Sequence, residues 1–492
     1  MALEDLRRPL ANAAGERSQE QQQADHACSR GVQAGPWMDN VNEMKRVCGL
    51  SAPNMAVNLF DMGIVLVSLL FVGRIGELEL AGASLAITMA NSLGYFVLMG
   101  MAGALETLCG QAYGAKAYHM LGIYLQQAVA LSIILCIPLS TLFIFTRRIL
   151  LLLGQDPAMS AKAKDFIVWL IPSLFANAFV QPLLKFLQTQ GVVIPSAIFS
   201  AVSFGAHILL SWLFIHKFHV GFHSVAISTS ISFWIKAALL ALYVCCSKVC
   251  KHTWRGLSTC VCTNVNHFLK LSLVSAFMVC LEYWTFEMLV LLAGLLPNPQ
   301  IEVSTLSICN SMATFNYMIT LGLSLGVSIR VSNELGARNP SAAKLAVFVV
   351  LVLATAEVFI AAAFLLMVHK SWGWVFTNES EVVDNLTSIT PFLALWILID
   401  GTQCVLQGVV RGCGRQNLGA IINLAAFYLC GLPVGVLLGF TFKFKTKGLL
   451  AGTTVGFFLQ LVLYLILILR MDWRRQAVSV SQTLDTRSLT LK

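Results

Sequence analysis

Charged residues are scarce in this sequence. Asp, Glu, Lys and Arg make up 12% of its 492 residues, against roughly 25% in an average soluble domain, and 57% of the residues are hydrophobic. A soluble chain of this length would form several domains, and so few charges could not cover their surfaces. A membrane-spanning helix needs about 20 mostly apolar residues, and such runs recur from Leu50 to Leu469. The composition therefore predicts an all-α integral membrane protein.

The sequence also lacks the motifs of several functional classes. It has no Walker A segment (G-x-x-x-x-G-K-[S/T]) and no H-E-x-x-H, which argues against an ATP-driven pump and a zinc hydrolase. Its net charge of +9 is spread over short loops, so we expect no nucleic-acid partner. Its 14 cysteines lie largely in apolar runs, and the group from Cys245 to Cys262 lacks the spacing of metal ligands. We expect no enzymatic activity, no cofactor and no metal.

Hydropathy predicts twelve transmembrane helices. They begin near Leu50, Leu80, Leu121, Asp165, Ser196, Ser224, Leu271, Thr305, Leu345, Thr387, Leu418 and Gly448. Twelve spans place both termini on one side, and that side carries most of the Lys and Arg residues of the tails and loops, so both termini are predicted to be cytosolic. The two N-x-S/T sequons at Asn378 and Asn385 then fall in the ninth-to-tenth connection, on the opposite face.

An internal repeat divides the chain. Gly114 matches Gly336 at an offset of 222, Gly191 matches Gly414 at 223, and residues near the start match at 221 to 222. A shared offset predicts two six-helix bundles of the same orientation, related by a pseudo-two-fold axis along the membrane normal, which is a transporter architecture. The predicted organisation is a disordered cytosolic tail over 1–47, a first lobe over 48–246 and a cytosolic linker over 247–270. The second lobe covers 271–470 and a cytosolic tail follows over 471–492.

Charged residues inside the predicted spans are candidates for function, because each costs several kcal/mol to place in lipid. They are Asp61, Lys185, Lys236, Glu282, Glu287, Glu357 and Asp400. Glu282 and Glu287 lie five residues apart, which puts their carboxylates about 140° apart around a helix and predicts different surroundings. We expect Glu357 and Lys236 to have structural roles, with the Lys236 charge paired internally or reaching the interface.

The tenth span carries a polar stripe. Asp400, Gln403 and Gln407 follow one another at i, i+3 and i+7, a pattern typical of a face that lines a water-filled cavity. The alternative is that these groups bond between helices or pair with a lysine. Burial disfavours the charged form of a carboxylate, so such a group can take up either a proton or a cationic ligand. The mutual exclusion predicts antiport, with Glu282, Asp400 and Glu287 as proton-coupling or substrate-binding residues.

Asp61 is the counterpart of Glu282 at an offset of 221. This spacing makes Asp61 a candidate for a second protonation site in the first lobe. The alternative is a carboxylate satisfied by Asn58, which lies one turn earlier on the same helix.

Three segments of the chain resemble the multidrug and toxic compound extrusion (MATE) family, and most of all its plant detoxification branch. They are LETLCGQAYGA at 105–115, RVSNELGA at 330–337, and VRGCG at 410–414 with Gln416 and Gly419. The resemblance covers residues 45–475 and implies two six-helix lobes, a central cavity and H⁺- or Na⁺-coupled efflux. It also implies coupling roles for Glu282 and Asp400, and it matches Glu287 to a further family acid. The loops 110–116 and 333–338 are expected to act in gating or folding, with Glu106 or Glu334 pairing with Arg330 or Arg338.

The sequence thus predicts a secondary active carrier that exchanges protons, rather than Na⁺, for cationic or aromatic organic solutes. An organic-anion exporter of the citrate type or a lipid-linked flippase is the alternative. We expect a monomer in the lipid bilayer of the plasma membrane or the vacuole, with a small organic molecule as its partner. The residues expected to line the cavity are Tyr283, Trp284, Asn310, Tyr317, Gln403 and Gln407.

Overall fold

The computed structural model describes residues 36–218, 221–258, 265–377 and 379–490. Within these ranges all regular structure is helical, as the composition predicts. The chain divides into a unit that ends at Lys45, whose described residues are the first turns of a helix, and a unit Arg46–Lys492 that holds every contact discussed below.

Twelve spans account for most of the described chain. Eleven helices are long and apolar enough to cross a membrane, and a bent pair gives a twelfth. We number them α1 Pro36–Gly73, α2 Glu77–Gly114, α3 Tyr118–Ile144, α4 Pro157–Val168 with Ile171–Thr189, α5 Ile194–His216, α6 His223–Cys246, α7 Val265–Ala293, α8 Pro299–Gly336, α9 Pro340–Met367, α10 Ser380–Gly412, α11 Gln416–Thr441 and α12 Lys445–Leu469. We call α1–α6 the N-half and α7–α12 the C-half.

Two spans depart from regular α-helix near the site described below. The two pieces of α4 meet at an angle of 51°, and Pro172 stands in the first turn of the second piece, where its missing N–H is tolerated. In α2 a π-helical turn at Asn91–Tyr95 separates Glu77–Ala90 from Phe96–Gly114. Such turns change the direction in which side chains project and are frequent at functional sites.

The predicted N-terminal tail over 1–47 needs correction. The chain is helical from Pro36, because polar residues at the end of a span can continue its hydrogen-bonded turns beyond the apolar stretch that hydropathy detects. Residues 1–35 lie outside the described part. The predicted linker over 247–270 is also too long, since α7 begins at Val265.

The segment after α12 is helical as well. Trp473–Thr490 forms an amphipathic helix in which Trp473, Ala477, Val480 and Leu484 are buried at helical spacing. Gln476 ties this helix to the end of α10 by donating to the Cys413 carbonyl at 2.8 Å. The C-terminal segment is therefore packed on the C-half.

The sequon at Asn385 is not in a connection. Asn385 lies in the first turns of α10, because the helix starts at Ser380, before the apolar window from which the span was predicted. Asn378 lies outside the described residues.

Candidate functional site

The N-half and the C-half line a common cavity of about 430 Å³. Pockets that hold drug-sized molecules have volumes of roughly 300–1,000 Å³. Aromatic rings form much of the wall, namely Tyr95, Phe96, Phe166, Phe233, Tyr283, Phe286, Tyr317 and Trp396. The charged residues of the wall are Asp61, Glu106, Lys185, Glu287, Asp400 and Arg411. The cavity therefore combines flat apolar surfaces with a few fixed charges.

The two halves make close contacts where α2 and α8 end. A Cβ atom on Gly114 would lie 1.9 Å from the carbonyl oxygen of Asn333, and one on Gly336 would lie 2.1 Å from that of Gln111. Glycine lets the two backbones approach this closely. We call this contact of residues 110–116 with 333–338 the closed side.

The contacts at the closed side come in matched pairs. Gln111 Nε2 donates to the Gly412 carbonyl at 3.5 Å, and Asn333 Nδ2 donates to the Thr189 carbonyl at 3.2 Å. The donors are 222 residues apart and the acceptors 223 apart, so each bond is the copy of the other with the halves exchanged. A pseudo-two-fold axis produces this reciprocity, and such an axis is what the repeat offset predicted.

Glu282 of α7 is buried behind the cavity wall, with 2% of its surface exposed. Two amides of α10 hold its carboxylate. Gln407 donates Nε2 to Oε2 at 2.5 Å, and Gln403 donates Nε2 to Oε1 at 3.3 Å. The same Nε2 of Gln403 lies 2.9 Å from Oδ1 of Asp400, which is part of the wall. The structure thus joins Glu282 and Asp400 through one amide group.

Glu287 is separated from that pair, as the helical spacing predicts. It lies in the cavity wall, whereas Glu282 faces α10. Within the described ranges, neither Glu287 nor Asp400 has a lysine or arginine at salt-bridge distance. The wall therefore carries two carboxylates without a cationic partner, both from the C-half.

Asp61 has a different partner from the one considered in the sequence. Lys236 of α6, fully buried, donates Nζ to both carboxylate oxygens of Asp61 at 2.7 and 2.9 Å. Asn58 instead donates to the carbonyl of Met318 in the C-half at 3.2 Å. The pairing expected for Lys236 is present, while the Asn58 alternative for Asp61 is wrong.

Glu106 holds a second ionic cluster at the junction of the halves. Its Oε1 lies 2.6 Å from Nζ of Lys185 in α4, and its Oε2 lies 3.3 Å from Nε of Arg411 in α10. Ser328 Oγ donates to Oε2 at 2.9 Å. The pairing expected of Glu334 with Arg330 is present at 2.8 Å, but Glu106 binds neither Arg330 nor Arg338, because it faces into the bundle and they do not.

The structure divides the residues predicted to line the cavity. Tyr283, Asn310 and Tyr317 are in the wall, and Tyr283 stacks on Phe96 of the N-half with ring centroids 3.9 Å apart. Trp284, Gln403 and Gln407 are not in it. The indole of Trp284 donates to the Ser92 carbonyl at 2.9 Å, and both glutamines turn towards Glu282. The polar stripe of α10 therefore faces a neighbouring helix, with Asp400 at the edge of the cavity.

Of the charged residues in the wall, Arg411 was not among the candidates predicted from the sequence. Glu106 was expected only as a partner of Arg330 or Arg338, and Lys185 was a candidate without an assigned partner. Glu106 and Arg411 lie in the segments LETLCGQAYGA and VRGCG, and Lys185 was noted as an intramembrane charge. Arg411 was not predicted to be intramembrane, because α10 continues to Gly412, beyond the 20-residue hydropathy window that begins near Thr387. A charge inside a glycine-containing motif at the end of a span is the signal that could have indicated it.

Twelve spans in two pseudo-equivalent halves, with a cavity between them and buried carboxylates beside it, define a polytopic membrane transporter.

Comparison with known proteins gives the family. The sequence model of the MatE family matches the chain twice, at residues 53–213 and 275–437, one match in each half. The chain is 42% identical to Protein DETOXIFICATION 16 of Arabidopsis thaliana over 91% of this chain and 92% of that protein, and 42% identical to Protein DETOXIFICATION 17 over 88% and 91%. The chain belongs to the MATE family of multidrug and toxic compound extrusion transporters.

Solved structures agree with this assignment. The crystal structure of the eukaryotic MATE transporter AtDTX14 matches with a TM-score of 0.88 at 38% identity, covering 90% of this chain and 99% of that one. The Vibrio cholerae MATE transporter VcmN matches with a TM-score of 0.79 at 17% identity, covering 89% and 99%, which shows the shared fold.

Proposed function

We propose that this transporter exchanges protons for organic cations, with Glu282 and Asp400 as the groups that carry the protons. The observation that carries the proposal is the shared amide of Gln403, which lies 3.3 Å from Glu282 and 2.9 Å from Asp400. Two carboxylates held this close cannot both stay ionised without cost in a buried site, so protons are readily shared between them.

The charges of the wall favour a cationic substrate. Lys236 neutralises Asp61, and Lys185 and Arg411 both lie at salt-bridge distance from Glu106. Glu287 and Asp400 remain, and aromatic rings such as Tyr283 and Trp396 lie in the same wall. Unpaired carboxylates beside aromatic faces attract an organic cation by charge and by cation–π contact.

Binding of proton and substrate would then be mutually exclusive. A proton on Asp400 removes the charge that holds the cation, so protonation from the side to which the cavity opens releases the solute. If the closed side is cytosolic, as the distribution of Lys and Arg predicts, this release is export from the cytosol. The plasma membrane and the vacuolar membrane both fit this direction.

An organic-anion exporter remains the second candidate, because Lys185 and Arg411 also lie in the wall. Both are engaged by Glu106, so an anion would have to displace a buried carboxylate.

Transport into proteoliposomes tests the proposal. We expect uptake of a fluorescent organic cation to require an acidic interior and to be lost in Glu282→Gln and Asp400→Asn. Glu302→Gln is the matched control, because Glu302 is also a buried carboxylate of the C-half but accepts from Thr446 and is outside the wall. Uptake by both variants at the rate of the unmodified protein would overturn the proposal, and uptake of an organic anion instead would favour the second candidate.

A further inference from the structure

A chain of buried polar side chains leads from Glu282 to the junction of the halves. Gln407 donates Nε2 to Glu282 and accepts through Oε1 from Nη1 of Arg411 at 3.3 Å. Arg411 also donates Nη2 to Ser324 at 3.0 Å and lies 3.3 Å from the carboxylate of Glu106. One amide therefore separates the proposed proton site from the ion pair that joins the halves.

The orientation of this amide is fixed by its neighbours. A guanidinium has only donors, so Gln407 must turn its oxygen towards Arg411 and its NH₂ towards Glu282. The facing oxygen of Glu282 must then be an acceptor. A proton on that oxygen would place a donor opposite a donor, and this arrangement is satisfied only if the amide turns over.

We infer that Gln407 and Arg411 are positioning residues that transmit the protonation of Glu282 to the closed side. The inference rests on the proposed function. When Oε2 of Glu282 takes up a proton, its O–H is accepted by Oε1 of Gln407, and the NH₂ group of Gln407 then faces Arg411. Arg411 loses an acceptor and meets a donor, so its hold on Glu106 weakens and the closed side opens.

Glu106 makes the ionic contact that joins the two halves in this arrangement. Its side chain belongs to α2 and its partners come from both halves, with Lys185 from the N-half and Arg411 and Ser328 from the C-half. Glu106 is 3% exposed and Arg411 is 5% exposed. Ion pairs this deeply buried depend strongly on geometry, since a partner that moves away leaves an uncompensated charge.

Other titratable groups also surround Glu282 and interact electrostatically with its carboxylate. They are Asp400, Cys404 and Arg411 on α10, Tyr317 on α8, Tyr464 on α12 and the adjacent Tyr283. Of these, Arg411 bonds Gln407 by the geometry above, and the hydroxyl of Tyr464 bonds Asn423 at 2.8 Å. The test therefore compares a variant at Gln407 with a variant at Gln460, a buried amide of α12 that bonds Asn423.

Spin-label distances across the closed side test the inference. Ala115 and Ala337 are exposed, equivalent at an offset of 222, and on opposite halves. We would label Ala115→Cys with Ala337→Cys in the full chain, with every cysteine that is not buried replaced by serine, and record the distance distribution in proteoliposomes at about pH 8 and about pH 5.5.

Four proteins give the decisive comparison. In the otherwise unmodified chain we expect acidification to raise the ratio of long to short distances about tenfold, the effect of losing one charge-assisted hydrogen bond. Glu282→Gln should fix the ratio at all pH values. Gln407→Met should also fix it although Glu282 is intact. Gln460→Met removes another buried amide of the C-half, one that bonds Asn423 at 2.8 Å, and it should keep the response.

Different results of this experiment would overturn the relay and the proposed proton site. A normal pH response in Gln407→Met, together with its loss in Glu282→Gln, would overturn the relay and leave the proton site standing. No response in the unmodified chain, or a response that survives in Glu282→Gln, would overturn the proton site itself. If Gln407→Met does not fold, Arg411→Lys replaces it, since one ammonium cannot repeat the contacts of the guanidinium, and an unchanged response there would overturn the relay.

Discussion

Glu106 and Ser328 occupy equivalent positions in the two halves and bond to each other. They are 222 residues apart, and Ser328 Oγ donates to Glu106 Oε2 at 2.9 Å. A residue can touch its own counterpart only on the pseudo-two-fold axis. The pair therefore marks the axis, and the same position carries a charge in one half and a hydroxyl in the other. The symmetry brings these two positions together. Only Glu106 carries a carboxylate there, and this carboxylate makes the ion pair with Arg411.

The glycines of the closed side provide the first prediction. Gly114→Ala and Gly336→Ala each place a methyl group within about 2 Å of a backbone carbonyl of the opposite half, so the closed contact must separate. We expect both variants to insert normally, to lose most transport and to shift the Ala115–Ala337 distance towards long values.

Gly205→Ala is the matched control for these variants. A Cβ on this glycine of α5 meets nothing within 4 Å, and alanine favours a helix by about 0.5–1 kcal/mol. Transport in Gly205→Ala should be unchanged. Normal transport in Gly114→Ala would show that the close approach is not needed during the cycle.

Removing one charge of the Asp61–Lys236 pair should destabilise the protein more than removing both. Asp61→Asn leaves a fully buried ammonium group without its counter-charge, which costs about 3–5 kcal/mol. Removing both charges in Asp61→Asn/Lys236→Met should restore most of that loss. Thermal unfolding of the purified variants measures the effect, and a double variant less stable than Asp61→Asn alone would contradict it.

The unpaired Glu287 predicts a loss of affinity with no loss of coupling. Glu287→Gln removes a carboxylate from the cavity wall but leaves Glu282, Gln403 and Asp400 in place. We expect the KM for an organic cation to rise about tenfold, while uptake still requires an acidic interior. An unchanged KM would place the bound cation elsewhere in the cavity.

Hydropathy and the repeat predicted most of the fold, because both depend only on the order of residues along the chain. The spans follow from apolar length, and the offset of 222 predicted two equivalent halves. The contact of Gly114 with the segment around Gly336 is seen only in the structure. Helix ends were less accurate. The window ended before Arg411, so a buried charge was assigned to a loop, and α1 extends back to Pro36.

The candidate site was predictable only in part. Spacing placed Asp400, Gln403 and Gln407 on one face of a helix, but periodicity does not tell whether a cavity or another helix lies opposite. Packing of α7 against α10 decides this, and it turns both glutamines to Glu282. In the same way Lys236, 175 residues away in the sequence, determines the surroundings of Asp61.

The central claim is that solute movement is coupled to proton movement through Glu282. Proteoliposomes with an acidic interior and a trapped pH indicator measure it directly when an organic cation is added outside. We expect the interior to become alkaline as the cation enters, at a rate that follows cation uptake, and neither change to occur in Glu282→Gln. Cation uptake with no change of internal pH, or proton loss that persists in Glu282→Gln, would contradict it.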